Sequence, residues 1–233
     1  MAYSFLYFLI SCSEATAPVV IEIENEIINE EIPSSELKYL ALGDSYTIGQ
    51  GVSTSSRWPI QLQERLEEDE IIIDSVKIIA QTGWTTTNLL TAMNEEELAE
   101  FDMVSLLIGV NNQFQGKDFS IYEEEVLTLL DRAASICKSE NEGIFVVSIP
   151  DYGVTPFGLN NAEQIGEELD QYNAYMKAVC EEREIPFIDI TELSRNLGSE
   201  NGALAEDNLH PSGLQYSKWV ALIEPIVKEL INR

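Results

Sequence analysis

Ser45 lies in Leu40-Ala41-Leu42-Gly43-Asp44-Ser45, where a short apolar run breaks at a Gly-Asp-Ser turn. The only histidine of the chain, His210, lies in Asp207-Asn208-Leu209-His210-Pro211, with a carboxylate three residues before it. A serine hydroxyl is a weak nucleophile until a neighbouring base takes its proton. If an imidazole is that base here, it is His210, and Asp207 is spaced to bind the other ring nitrogen and fix the tautomer. A serine on a strand-to-loop turn with such a pair points to acyl transfer. Two further segments fall between them, Thr82-Gly83-Trp84 and Ile108-Gly109-Val110-Asn111-Asn112.

Taken in order, these four segments resemble those of the SGNH hydrolases, also called GDSL-like lipases and acylhydrolases. The resemblance runs from about Tyr39 to Trp219. It implies Ser45 as nucleophile, His210 as general base and Asp207 as its support. It also implies an oxyanion hole built from the backbone N–H of Ser45, the backbone N–H of Gly83 and the side-chain amide of Asn111. Gly83 suits that role because a missing Cβ allows close backbone approach. One departure stands out: Asn112 occupies a position where the family commonly has Asp. That Asp is generally a support residue, so the change bears on hydrogen bonding within the loop, and Asn112→Asp is expected to be mild.

The elements that must position these groups read as alternating strands and helices. Strands are predicted at Lys38–Leu42, Ile71–Ala80, Met103–Ile108, Ile144–Ile149 and Pro186–Ile190. The third is apolar apart from Ser105, as expected of a strand buried on both faces. Helices are predicted at Trp58–Leu66, from a Ser120/Glu123 capping box through Val126, Leu129, Leu130, Ala133 and Cys137, and through Ile165, Leu169, Tyr172, Met176, Val179 and Cys180. A last helix opens near Ser212 and presents Trp219, Leu222, Ile223, Ile226 and Leu230, with a kink expected at Pro225. This alternation implies an α/β fold, a three-layer α/β/α sandwich around a five-stranded parallel sheet of flavodoxin-like type. In such sheets function gathers at the carboxyl ends of the strands. Each candidate residue follows a predicted strand or precedes the last helix.

The chain has 233 residues and a net charge of −28. That charge opposes nucleic-acid binding, which needs cations for the phosphates, and docking on a bare anionic membrane. The partner that the resemblance implies is a small-molecule or glycan ester; the oligomeric state is not legible. No cofactor motif is present: Gly109 to Lys117 is too long for a P-loop, and Gly49-Gln50-Gly51 lacks the third glycine of a dinucleotide fingerprint. With one histidine and no CxxC, no metal site is expected. Cys137 and Cys180 read as small core hydrophobes.

Residues 1–12 contain no charge, and Leu9-Ile10-Ser11-Cys12 resembles a bacterial lipobox. The resemblance implies lipidation of Cys12, export and a membrane anchor, although the expected Lys or Arg before the apolar run is absent; a cytoplasmic chain with a ragged terminus is the alternative. Residues 13–36 carry seven Glu and no Lys or Arg and read as an acidic tether, leaving 37–233 as the hydrolase domain. Removing those seven charges from −28 leaves −21, so the domain is acidic too.

The expected activity is ester hydrolysis through an acyl-serine, on short-chain acyl or carbohydrate O-acetyl esters. A lysophospholipase or thioesterase is the alternative, and a catalytically silent binding module of the same fold is the contrasting class. Aromatic and apolar candidates for the substrate walls are Ile48, Trp58, Phe114, Phe119, Tyr152 and Phe157. Candidates for contacts with sugar hydroxyls are Gln50, Ser53, Asn112, Gln113 and Asp151.

Overall fold

The computed structural model describes residues 37–232. The lipobox-like segment ending at Cys12 and the tether at 13–36 therefore lie outside the described residues. In chain order the elements are β1 (Leu37–Gly43), α1 (Ser45–Ile48), α2 (Trp58–Glu68), β2 (Ile73–Ala80), α3 (Thr86–Glu95), β3 (Met103–Leu107), α4 (Val110–Phe114), α5 (Phe119–Ile136), β4 (Ile144–Val147), α6 (Ala162–Glu182), β5 (Phe187–Ile188), α7 (Thr191–Leu197) and α8 (Gly213–Ile231).

The five strands form one parallel sheet in the order β2-β1-β3-β4-β5. Helices cover both sides: α2 packs on α8, while α3 and α6 pack on α5. The predicted three-layer α/β fold is the one observed. Every residue of β3 and of β4 is buried, which accounts for their apolar composition. Ser105, the polar exception, pairs its hydroxyl with that of Tyr39 on the adjacent strand at 2.8 Å. Trp58, Trp219 and Phe145 are among the largest fully buried side chains. Among the described residues no helix is long and apolar enough to cross a membrane.

Several boundaries differ from the sequence reading for local reasons. The cap of α5 is Asp118, whose carboxylate accepts the Ser120 N–H, so the helix starts one residue before the expected Ser120 box. Cys137 is the C-cap of that helix, not part of its stripe. The buried face of α8 runs through Trp219, Ile223, Val227 and Leu230, whereas Leu222 is exposed. The helix continues through Pro225 to Ile231. Cys137 and Cys180 are both free and buried.

The strand order matters for function. From β1 the chain first moves outward to β2 and then returns to the other side of β1 for β3. Neighbouring connections therefore diverge between β1 and β3, opening a crevice at their carboxyl ends. Ser45 comes two residues after the end of β1, and Asn111 lies in α4, the short helix after β3.

Candidate active site

The turn that presents Ser45 is dictated by sterics and one side-chain cap. A Cβ at Gly43 would lie 2.2 Å from Thr47 Oγ1 and 2.5 Å from the Leu107 carbonyl oxygen, so only glycine lets β1 run this close to β3. Asp44 then caps α1, its Oδ1 accepting the Tyr46 N–H at 3.0 Å. The chain leaves the sheet within two residues and places Ser45 at the first helical position, lining a pocket.

His210 and Asp207 belong to one tight turn. Asp207 Oδ1 accepts the backbone N–H groups of Leu209 and His210 at 3.0 and 2.9 Å. Its Oδ2 binds His210 Nδ1 at 2.7 Å. Asn208 makes the turn with φ +58, a conformation Asn tolerates better than most residues. The loop is closed at its base by a bridge between Leu204 and Pro211 and by the Ala205 N–H bonded to the His210 carbonyl at 2.8 Å. Burial alone would raise the Asp207 carboxyl, but the backbone and side-chain hydrogen bonds from His210 and Leu209 outweigh it and hold the group below the usual carboxylate range. The carboxylate is thus charged when the ring beside it needs support. His210 Nδ1 faces Asp207, so Nε2 is the free ring atom.

Ser45 and His210 line the same pocket, yet no hydrogen bond joins them. Bonds between a nucleophile and its base often tighten only around a substrate. Gly83 and Asn111 line this pocket as well. Gly83 has φ +84, which an L side chain rarely adopts, and a Cβ there would meet nothing within 4 Å. The glycine is therefore required by backbone conformation, with open pocket space beside it, and not by a close protein neighbour. The Gly83 carbonyl accepts from Gln115 Nε2 at 3.0 Å, which orients the peptide. Asn111 Nδ2 donates to the Trp84 carbonyl at 3.0 Å, which leaves its second N–H unspent. The N–H groups of Ser45 and Gly83 donate to no acceptor among the described residues. One opening therefore gathers a hydroxyl, an imidazole and three N–H donors, the set that ester cleavage needs.

The pocket has a volume of about 240 Å³. Tyr46, Val110, Phe114, Tyr152, Phe157 and Leu209 form its mainly apolar walls. The loop carrying Tyr152 and Phe157 is anchored by Asp151, whose carboxylate accepts from Arg195 Nε at 2.9 Å and from the Gly153 N–H at 2.7 Å. Behind the nucleophile, burial raises the Asp44 carboxyl to about 7, and its bond from the Tyr46 N–H offsets only part of that.

The structure brings together all five residues singled out by chemistry: Ser45, Gly83, Asn111, Asp207 and His210. Of the expected walls, Phe114, Tyr152 and Phe157 line the pocket. Trp58 is instead a core residue, and Phe119 packs against Tyr122, Tyr172 and Tyr175. Ile48 is absent from the lining. The polar candidates are engaged within the protein: Gln50 with Thr82, Ser53 with Ser55 and Ser56, Gln113 with Glu168 and Tyr152, Asp151 with Arg195, and Asn112 with Thr86. Sequence reasoning missed Tyr46, Val110 and Leu209 as walls. Each is adjacent in sequence to a candidate residue, and that adjacency was the available signal. Among the described residues no group of three or more His, Cys, Asp or Glu side chains is arranged to hold a metal ion.

The family described as GDSL-like Lipase/Acylhydrolase matches residues 41–218. Spore germination lipase LipC of Bacillus licheniformis is 25% identical over 196 residues, covering 77% of this chain and 91% of the lipase. In fold, an acetyl xylan esterase, AlAXEase, matches with a TM-score of 0.65 at 17% identity, over 82% of this chain and 100% of the esterase. TesA matches with a TM-score of 0.62 at 21% identity, over 83% of this chain and 99% of TesA.

Proposed function

Because the chain belongs to the GDSL-like lipase/acylhydrolase family and is a carboxylic ester hydrolase, we propose that it cleaves esters of short acyl chains through an acyl-serine intermediate. Ser45 Oγ attacks the ester carbonyl carbon while His210 Nε2 takes the hydroxyl proton. The Asp207 carboxylate holds Nδ1–H and stabilises the imidazolium that forms. The carbonyl oxygen, now an anion, receives the N–H groups of Ser45, Gly83 and Asn111. Collapse of the tetrahedral adduct breaks the bond to the alcohol oxygen, which leaves with the proton held on His210. Water then repeats the sequence on the acyl-serine, releasing the acid and restoring Ser45.

The observation that carries the short-chain reading is the size and character of the pocket. An apolar cavity of ~150 Å³ holds one benzene molecule. On that scale, 240 Å³ holds about ten non-hydrogen atoms. That is an ester group with about seven further carbons shared between its acyl and alcohol sides. An acetyl group fits with room to spare, which keeps carbohydrate O-acetyl esters within the reading, as does the fold shared with an acetyl xylan esterase. The engagement of Gln50, Ser53, Gln113 and Asp151 inside the protein argues that selectivity rests on the acyl side and not on a row of sugar contacts.

One feature favours the lysophospholipase or thioesterase alternative: Phe114 and Phe157, at the pocket rim, are 56% and 54% exposed and would extend an apolar path for a longer chain. Comparing kcat/KM for acetyl, butyryl and octanoyl p-nitrophenyl esters separates the two. Short chains are expected to lead. A rise continuing through octanoyl, with turnover of a lysophospholipid, would replace the short-chain reading with the alternative.

A further inference from the structure

Asn112 is fully buried, and one neighbour fixes which way its amide points. Its Oδ1 accepts the backbone N–H of Thr86 at 3.0 Å. A backbone N–H can only donate, so the amide nitrogen must face the Thr86 hydroxyl, to which Nδ2 donates at 2.7 Å. That hydroxyl keeps its own proton and donates it to Glu125 Oε2 on α5. The Thr87 hydroxyl reaches both oxygens of the same carboxylate, at 2.8 and 2.9 Å. The result is a one-way run, Asn112 to Thr86 to Glu125, in which each hydrogen has a single destination.

The run joins the two segments that carry two of the three oxyanion donors. Thr86 opens α3 three residues after Gly83, and Asn112 follows Asn111, which itself donates to the Trp84 carbonyl. We propose that Glu125 is a positioning residue of the oxyanion hole, and that a carboxylate at position 125 requires an amide at position 112. A carboxylate at position 112 has no proton to give Thr86. The single Thr86 hydroxyl proton would then serve one of two carboxylates, and the other would face a lone pair in a buried site. A carboxylate at position 112 becomes compatible only where position 125 supplies a donor. The substitution expected from sequence to be mild, Asn112→Asp, is therefore a damaging one in this chain.

The kinetic part of this inference rests on the proposed ester hydrolysis; the pairing itself rests on the hydrogen bonds alone. The test compares wild type, Asn112→Asp and the double variant Asn112→Asp with Glu125→Gln by kcat and KM on p-nitrophenyl butyrate and by Tm at pH 5 and pH 8. Asn112→Asp is expected to lose roughly 10–10²-fold in kcat with KM nearly unchanged, as slight misplacement of a positioned group does. Its Tm deficit is expected to be larger at pH 8. The introduced carboxyl titrates above its unfolded value of about 3.9, so its penalty is absent below that value, grows as pH rises from there to the raised value and is constant beyond it, which makes it smaller at pH 5 than at pH 8. In the double variant the introduced glutamine amide donates to Thr86, whose proton turns to the carboxylate introduced at position 112, and both deficits are largely repaired. Should Asn112→Asp fail to fold, recovery of folded protein in the double variant is the same result. A double variant no better than Asn112→Asp, or a Tm deficit equal at the two pH values, overturns the pairing. If wild type cleaves no ester, the proposed function fails, and the Tm comparison still decides the pairing.

Discussion

Asp44 offers a test of how burial behind the nucleophile shapes stability. Its side chain is fully buried; Oδ1 takes the Tyr46 N–H, and Oδ2 has no hydrogen-bond partner among the described residues. Burial raises the carboxyl from 3.8 to about 7. Below pH 4 the group is protonated folded and unfolded, and contributes no pH dependence. Between pH 4 and 7 the unfolded chain gives up its proton first, so this group favours unfolding increasingly as pH rises. At 1.36 kcal/mol per pH unit, the span from 3.8 to about 7 costs roughly 4 kcal/mol above pH 7. Asp44→Asn keeps the oxygen that Tyr46 needs and removes the titration. Thermal unfolding of both proteins from pH 4 to 8 is the assay. The variant is expected to gain on wild type across that window by roughly 10 °C, at ~2–4 °C per kcal/mol for a domain of this size. Any fixed cost of the amide displaces its curve without changing the slope. Parallel curves would refute the reasoning, since they would mean that Asp44 ionises as easily folded as unfolded.

Ser45→Ala and His210→Ala should each lower kcat by ~10⁴ or more, because the two act as a unit. Near-wild-type turnover in His210→Ala would eliminate the proposed base, as the chain has no second histidine. Asn111→Ala should lower kcat by ~10²–10³ with KM nearly constant, read by steady-state kinetics. Gly83→Ala should cost about 1–2 kcal/mol in urea unfolding, from its φ of +84 and not from a clash. Expressed in a bacterium, the chain should partition with membranes and become soluble on Cys12→Ala; a soluble wild type retaining residues 1–12 would refute the lipobox reading.

Much of the fold was legible because buried parallel strands are written as short apolar runs, and β1, β3 and β4 show them plainly. The helices α1, α3, α4 and α7 were not, the first and third of these being only four and five residues long. α3 begins Thr-Thr-Asn, and its capping box pairs Thr85 with Asn88 instead of Glu or Gln. α7 is only Thr191–Leu197, too short for its periodicity to register. On α8, Leu222 sits beside the true stripe and is indistinguishable from it by composition. The candidate site residues stood out because His210 is the only histidine and because four short segments follow one another in a recognisable order. The walls did not: Phe114, at the end of α4, and Phe157 come together at 5.9 Å from segments far apart in sequence. Phe119, five residues from Phe114, turns into the core, and nothing local distinguishes the two.

The turn from Asp207 to His210 has a further consequence. Its internal bonds, and the bridge between Leu204 and Pro211 at its base, make the ring and its carboxylate one small body. Movement of α8, into which the turn leads, carries both together. Such movement changes the reach to Ser45 and leaves the bond between Asp207 and the ring as it is. Substitutions that loosen the packing beneath this loop should therefore act on kcat only through the reach to Ser45, and only changes within the turn itself should part the ring from its carboxylate.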